Sequence, residues 1–257
     1  MYYIDTHSHL YPEYYPQTFD EVVKRTLGAN VQKVLLPCVN SQSIQDLLYA
    51  SDQYPDHLFP MIGLHPTDVF ENYQQELNII EQQLVNEKVV AVGEIGIDLY
   101  HDKTYIQNQM IAFETQLGWA IDLNLPLSVH VRDGFSEAFQ VIKKFKGKPF
   151  SGVFHCFSGG IQEAKWLIDN GFYLGITGVI TFKKSKLQEL VKEVGLEYLV
   201  LETDAPFLAP EPYRGKQNES SYIPLIGKKL AEIFEISESD VMNITTSNAE
   251  KIFSKII

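Results

Sequence analysis

The stretch Tyr2-Tyr-Ile-Asp-Thr-His-Ser-His9 is a short apolar run that ends in two histidines, and the same kind of ending recurs along the chain. Val89 to Ile95 carries Glu94, Pro126 to Val131 carries His130, Phe150 to His155 ends on its histidine, and Tyr198 to Thr203 is followed by Asp204. Read as buried strands, these runs send imidazoles and carboxylates out of one end of a sheet. His7 and His9 are two residues apart, so on an extended backbone their side chains point the same way. Imidazole and carboxylate together suit Zn²⁺, Mn²⁺ or Mg²⁺, and their arrival from five separate segments argues against chance.

Working outward, eight such runs are found: Tyr2 to Thr6, Lys33 to Val39, Leu58 to Leu64, Val89 to Ile95, Pro126 to Val131, Phe150 to His155, Phe172 to Thr177 and Tyr198 to Thr203. Helical periodicity fills the gaps. Within 104–123, Ile106, Met110, Phe113, Leu117 and Ala120 share one face, and 184–194 and 220–235 read similarly. Eight strands alternating with helices predict parallel pairing through right-handed crossovers, hence an α/β fold of the (βα)8 TIM-barrel type. In that fold the C-terminal strand ends carry the chemistry. His7, His9, Glu94, His130, His155 and Asp204 all fall on that face. Ser237 before Asp240 and Ser247 before Glu250 each form an S-x-x-acid cap, predicting two short closing helices. No Gly/Ser-rich linker interrupts the chain, so 1–257 reads as a single domain.

The 45% hydrophobic content supports a large core, while a formal charge of −12 excludes broad adhesion to nucleic acid or anionic membrane through a basic surface. No apolar stretch has the length of a membrane span, and the N-terminus lacks a basic leader. Cys38 and Cys156 lie far apart with no CxxC pair, which fits a reducing compartment, so the expected location is the cytoplasm.

The ligand set divides naturally between two divalent ions, Mg²⁺, Mn²⁺ or Zn²⁺. His7, His9 and Asp204 take the first, His130 and His155 the second, and Glu94 bridges them with its two oxygens. Such a pair shares a hydroxide, orients a phosphate and stabilises the attacking and leaving oxygens. Glu94 bonded only to a loop would leave a one-metal site instead. Asp204 can also act as general base toward the attacking water.

Basic residues gather in loops on the same face: Lys103 after strand four, Arg132 after strand five, Lys183, Lys184 and Lys186 after strand seven, and Arg214 and Lys216 after strand eight. Arg132 and Arg214 stand out, because a guanidinium matches phosphate oxygens bidentately. Lys143, Lys144, Lys146 and Lys148 enter strand six from the opposite face and read as solvated surface. His65, just past strand three, can donate to phosphate, whereas His57 on the stability face reads as structural and His101 stays open. Tyr11, Tyr14 and Tyr15 follow the first strand and can stack on unpaired bases, or else pack as a proline-stiffened loop. Cys156, following a ligand on a strand, is expected to point away from the metals into the core.

The segments Asp5-Thr-His-Ser-His-Leu10, Gly63-Leu-His-Pro66, Val92-Gly-Glu-Ile-Gly-Ile-Asp98, His155-Cys-Phe-Ser-Gly159, Glu202-Thr-Asp-Ala-Pro206 and Arg214-Gly-Lys216 closely resemble the TatD family of metal-dependent deoxyribonucleases, within the amidohydrolase-like barrels. The resemblance runs from residue 5 to about 253. It implies a divalent-metal hydrolase of DNA phosphodiesters, an exonuclease acting on single strands or ends, with no membrane or obligate protein partner. Residue by residue it carries over His7, His9, Glu94, His130, His155 and Asp204 as ligands, and His65 as a substrate-phosphate contact. Two segments depart from the family pattern: Val129-His-Val-Arg-Asp133 lacks the serine common after the histidine, and Asn218-Glu-Ser220 stands where Asn-Glu-Pro is common.

Two other readings compete. A small ester, lactone, amide or phosphotriester hydrolase uses the same barrel, since fold alone does not choose the substrate. Many such enzymes bridge their metals through a modified lysine on strand four, where this chain has Glu94. A catalytically idle scaffold is opposed by the intact ligand set.

Overall fold

A computed structural model describes residues 1–257. Its strands are β1 (Tyr3–Asp5), β2 (Val31–Pro37), β3 (Leu58–Ile62), β4 (Ala91–Asp98), β5 (Leu127–Arg132), β6 (Gly152–Phe154), β7 (Phe172–Ile176) and β8 (Leu199–Leu201). They pair in parallel in chain order, β1 through β8. Helices α1 (Phe19–Gly28), α2 (Ile44–Gln53), α3 (Tyr73–Gln83), α4 (Ile106–Leu123), α5 (Phe135–Lys143), α6 (Ile161–Asp169) and α7 (Leu187–Val194) connect the strands, and α8 (Ile223–Phe234) and α9 (Glu238–Ile252) follow the last. This is the expected (βα)8 barrel.

The seam between β8 and β1 closes beyond the formal strand ends. Thr6 N–H donates to Leu201 O at 3.0 Å, Asp204 N–H to His7 O at 2.9 Å and His9 N–H to Ala205 O at 2.8 Å, and Ser8 bridges Ala205 in parallel. The residues that complete the barrel therefore include three of the expected ligands.

Alternation along the strands separates two cores. Val34 and Leu36 face the helices together with Leu47 and Ala50, while Ile4, Leu35, Met61, Ala91, Val153 and Val200 form a smaller interior cluster. The end of α9 plugs that interior with Ala249, Ile252 and Phe253, followed by Ile256. One mouth of the barrel is thus sealed by apolar packing, and the other carries the histidines.

Two sequence expectations are corrected. Strand four does not stop at Ile95: β4 continues to Asp98, so Glu94 sits inside the strand. Gly96 permits this, because at φ 139 a Cβ there would lie 2.0 Å from His130 O. Nor are there two closing helices. Ser237 caps α9, its Oγ accepting from Asp240 N–H at 3.0 Å, but Ser247 lies within that same helix, where its turn is already hydrogen-bonded.

Asn248 fastens the plug, its buried amide donating to Leu196 O at 3.1 Å and Leu199 O at 2.8 Å. Asn248→Ala strands both carbonyls and should cost about 2 kcal/mol. Calorimetry should register that loss as a fall of about 4–8 °C in melting temperature, with metal stoichiometry unchanged.

Candidate active site

At the open mouth, five of the six expected ligands gather about the sixth, Glu94. Glu94 Oε2 lies 3.2 Å from His7 Nε2 and 4.0 Å from His9 Nε2. Its Oε1 lies 3.1 Å from His130 Nδ1, 3.1 Å from His155 Nε2 and 3.3 Å from His65 Nε2. Asp204 Oδ1 completes the side near β1, 3.9 Å from His7 Nε2 and 3.8 Å from His9 Nε2. The alternative in which Glu94 serves only a loop does not match this geometry.

Three trios offer ligand atoms within 4.8 Å of one another: His7, His155 and Asp204; His7, His9 and Glu94; and His65, Glu94 and His130. His155 stacks on His7 with ring centroids 3.7 Å apart, so it stands between the two ends of the site and is not confined to the His130 side.

Whether each imidazole suits a cation depends on what holds its far nitrogen, since a neutral ring with one N–H engaged presents a lone pair at the other nitrogen. His7 Nδ1 faces Ser128 Oγ at 3.2 Å, leaving a buried Nε2 with no hydrogen-bond partner. His9 Nδ1 faces Tyr11 Oη at 3.1 Å, and Tyr11 donates onward to Pro37 O. His130 is reversed: its Nε2–H donates to Asp98 Oδ2 at 2.9 Å, so Nδ1 points inward. His155 Nδ1 lies 3.3 Å from Glu202 Oε1, off the axis of a good hydrogen bond but close enough for charge attraction. In each of the four, a proton kept on the outer nitrogen would free the inner one for a cation, and the donor set fits divalent ions.

His65 is built the other way. Its Nδ1 accepts from Thr67 N–H at 3.2 Å, so the proton sits on Nε2, which faces the cavity. It is a hydrogen-bond donor there.

Burial alone would push the Glu94 carboxyl up, but the imidazoles of His65, His7 and His155 outweigh it and hold the group well below the usual range. Burial lowers His7 to about 4 and His9 to about 3. It opposes protonation of His155 too, yet Glu94 and Glu202 raise that ring well above the ordinary value. Burial pushes Asp204 up to about 7, with Glu94 and Glu202 adding to it and His155 opposing. Asp98 is also burdened by burial, but the hydrogen bond from His130 and the His101 N–H hold it low.

The centre opens into a cavity of about 780 Å³ bordered by His65, Asp98, His101 and Arg132 on one wall, and by Tyr14, Phe207 and Leu208 on the other. Arg132 lies over the Tyr100 ring, 3.6 Å from its centroid. Arg214 and Lys216 are exposed on the β8 loop outside this lining, Arg214 packed over Phe182. Lys103, Lys183, Lys184 and Lys186 are exposed and also lie outside it. Lys143, Lys144, Lys146 and Lys148 are solvated, and His57 is bonded to Gln32 O.

Two expectations fail here. Tyr11 and Tyr15 are buried, one bonded to His9 and the other to Asn218 O, so neither can stack on a base, and only Tyr14 reaches the cavity. Cys156 is not a core residue: a left-handed turn at φ 45 carries it off the strand, half-buried at the cavity wall. Burial pushes its thiol up to about 12, which disfavours a nucleophilic thiolate.

Sequence reasoning missed Asp98, Glu202 and Ser128 as partners of the ligands. Asp98 had a readable signal, since it lies four residues beyond Glu94 on the same strand and so on the same face. Glu202 is accommodated by Gly175, where a Cβ would stand 2.2 Å from its Oε2.

The family model described as TatD related DNase matches residues 4–254. A Bacillus subtilis protein named uncharacterized metal-dependent hydrolase YabD is 34% identical over 97% of this chain and 98% of its own length. A Citrobacter rodentium protein named 3'-5' ssDNA/RNA exonuclease TatD is 33% identical over 91% of each chain. Among solved structures, the Escherichia coli TatD homologue YJJV superposes with a TM-score of 0.90 at 28% identity, covering 98% of both chains.

Asp98→Asn removes the charge that orients His130 and should weaken divalent-metal affinity roughly 10–100-fold in calorimetric titration. His65→Ala, by contrast, should leave the number of ions bound unchanged.

Proposed function

The chain belongs to the family of TatD-related DNases and is a metal-dependent hydrolase, and from that premise we propose that it hydrolyses phosphodiester bonds of single-stranded DNA, acting from strand ends. The single observation that carries this reading is the pairing of a carboxylate shared between two groups of imidazoles with phosphate donors on the adjoining wall. His7, His9 and Asp204 would hold one divalent ion, His130 and His155 a second, and Glu94 would bridge. Ions held there supply Lewis acidity toward the phosphate and ease deprotonation of water.

The chain's own groups do the rest. His65, with its proton on Nε2, donates to a phosphate oxygen. Arg132, free of any carboxylate partner and backed by Tyr100, offers a bidentate fork for a second phosphate group. Asp204, bordering the cavity, accepts the proton of the attacking water and returns it to the departing oxygen. Arg214 and Lys216 serve a more distant part of the strand, beyond the cavity. A relative's name couples this architecture to single-stranded DNA and RNA. The absence of a CxxC pair and the two free cysteines support work in the cytoplasm.

EDTA should abolish cleavage of a labelled single-stranded oligonucleotide, and Mg²⁺, Mn²⁺ or Zn²⁺ should restore it. Asp204→Asn should lower turnover by about a hundredfold or more while oligonucleotide affinity stays within a few-fold. Substantial residual turnover, or faster hydrolysis of simple carboxylic esters than of DNA, contradicts the proposal.

A further inference from the structure

The wall opposite Arg132 is unlike the rest of the site. Phe207 and Leu208 are 49% and 37% exposed, although large apolar side chains at a barrel mouth gain nothing from water. Phe207 follows Asp204 by three residues, and its ring meets His9 edge-on at 6.0 Å and Tyr14 edge-on at 6.0 Å. Tyr14 in turn lies 5.3 Å from His9.

This exposed ring is not a loose side chain on a loose loop. Phe207 N–H donates to Asp204 O at 2.8 Å, and the buried amide of Asn218 donates to Phe207 O at 2.6 Å and to Thr203 O at 2.9 Å. Asn218 is itself fixed, its carbonyl accepting from the Tyr15 hydroxyl at 2.8 Å. The fold therefore locks the backbone of Phe207 to the ligand loop and leaves its ring in the cavity. Rigid aromatic surface beside a phosphate-binding centre is what a splayed nucleobase stacks on, and each stacked base is worth roughly 5- to 150-fold in binding.

We propose that Phe207, with Tyr14 beside it, is a base-stacking subsite that receives one nucleobase flanking the scissile phosphodiester, while the phosphate chain leaves toward His65 and Arg132. The inference rests on the phosphodiesterase reading given above. It also supplies a reason for unpaired substrate: a base can reach this wall only after leaving its stack, which costs least in a single strand. Tyr14 is half-buried against His9 and acts as the side of the platform, and Phe207 provides its face.

The test is a mutant cycle on single-stranded oligonucleotides that carry a tetrahydrofuran abasic residue at the terminal or the penultimate position, at each end in turn. For the wild type, one of these abasic positions should lower kcat/KM about tenfold or more. In Phe207→Ala that penalty should shrink toward unity, and Phe207→Trp should restore it. A 2-aminopurine placed at the same position should be quenched on binding to the metal-free wild type and not to Phe207→Ala. Equal penalties in wild type and Phe207→Ala, or no penalty at any position, overturn the subsite while leaving the phosphodiesterase standing. Failure of the wild type to cut any oligonucleotide with any of the three metals overturns the phosphodiesterase reading, and the subsite with it.

Discussion

The site turns on where each imidazole keeps its proton. Five histidines crowd around Glu94, and their chemical roles diverge only because their far nitrogens meet different partners. Ser128, Tyr11 and Asp98 lie in hydrogen-bond reach of the outer nitrogens of His7, His9 and His130, and Glu202 stands beside that of His155, so a proton held outside would leave each inner nitrogen for a cation. Thr67 does the opposite to His65 by donating a backbone N–H to it. A ring of the same type, equally close to Glu94, thereby becomes a donor to substrate instead of a ligand.

That arrangement depends on the barrel. The partners arise from the loop after β1, from β4 and β5 and from the end of β8: Asp98 meets His130 on the adjacent strand, Ser128 reaches His7 across the barrel, Glu202 reaches His155 past β7, and Tyr11 turns back on His9. Close approach between strands is part of the cause, at Gly96 against His130 and at Gly175 against Glu202. The seam between β1 and β8 is closed by the backbone of His7, His9 and Asp204, so closing the fold and assembling the site are one event. Cations would then relieve a cluster that burial leaves short of solvation, and they would add positive charge to an acidic protein where a phosphodiester arrives.

Much of this was legible in the sequence. Eight apolar runs gave the barrel, and because imidazoles and carboxylates cluster at the ends of those runs, all six candidate ligands could be picked from their positions, and the structure brings them together at one mouth. The internal placement of Glu94 was missed, because the apolar run breaks after Ile95 at Gly96, which marks a close approach to β5. Partners of the far nitrogens were harder to see. Ser128 and Glu202 lie within apolar runs, where a polar residue has no periodic signature, and their value appears only when the closed barrel brings non-adjacent strands face to face. The tyrosines misled for a related reason: Tyr11, Tyr14 and Tyr15 are neighbours in sequence, but one turn of the loop buries two and leaves the third half-buried at the cavity. Phe207 carried no motif beyond its distance from Asp204, and its meaning comes from exposure and a fixed backbone.

The most direct test is nitrogen-detected NMR of the histidine rings in protein loaded with diamagnetic Zn²⁺. The account predicts that His7, His9 and His155 keep the proton on Nδ1 and bind through Nε2, that His130 keeps it on Nε2 and binds through Nδ1, and that His65 stays protonated on Nε2 without a metal bond. Metal coordination by His65, or a proton on the inward nitrogen of any of the other four, would contradict it.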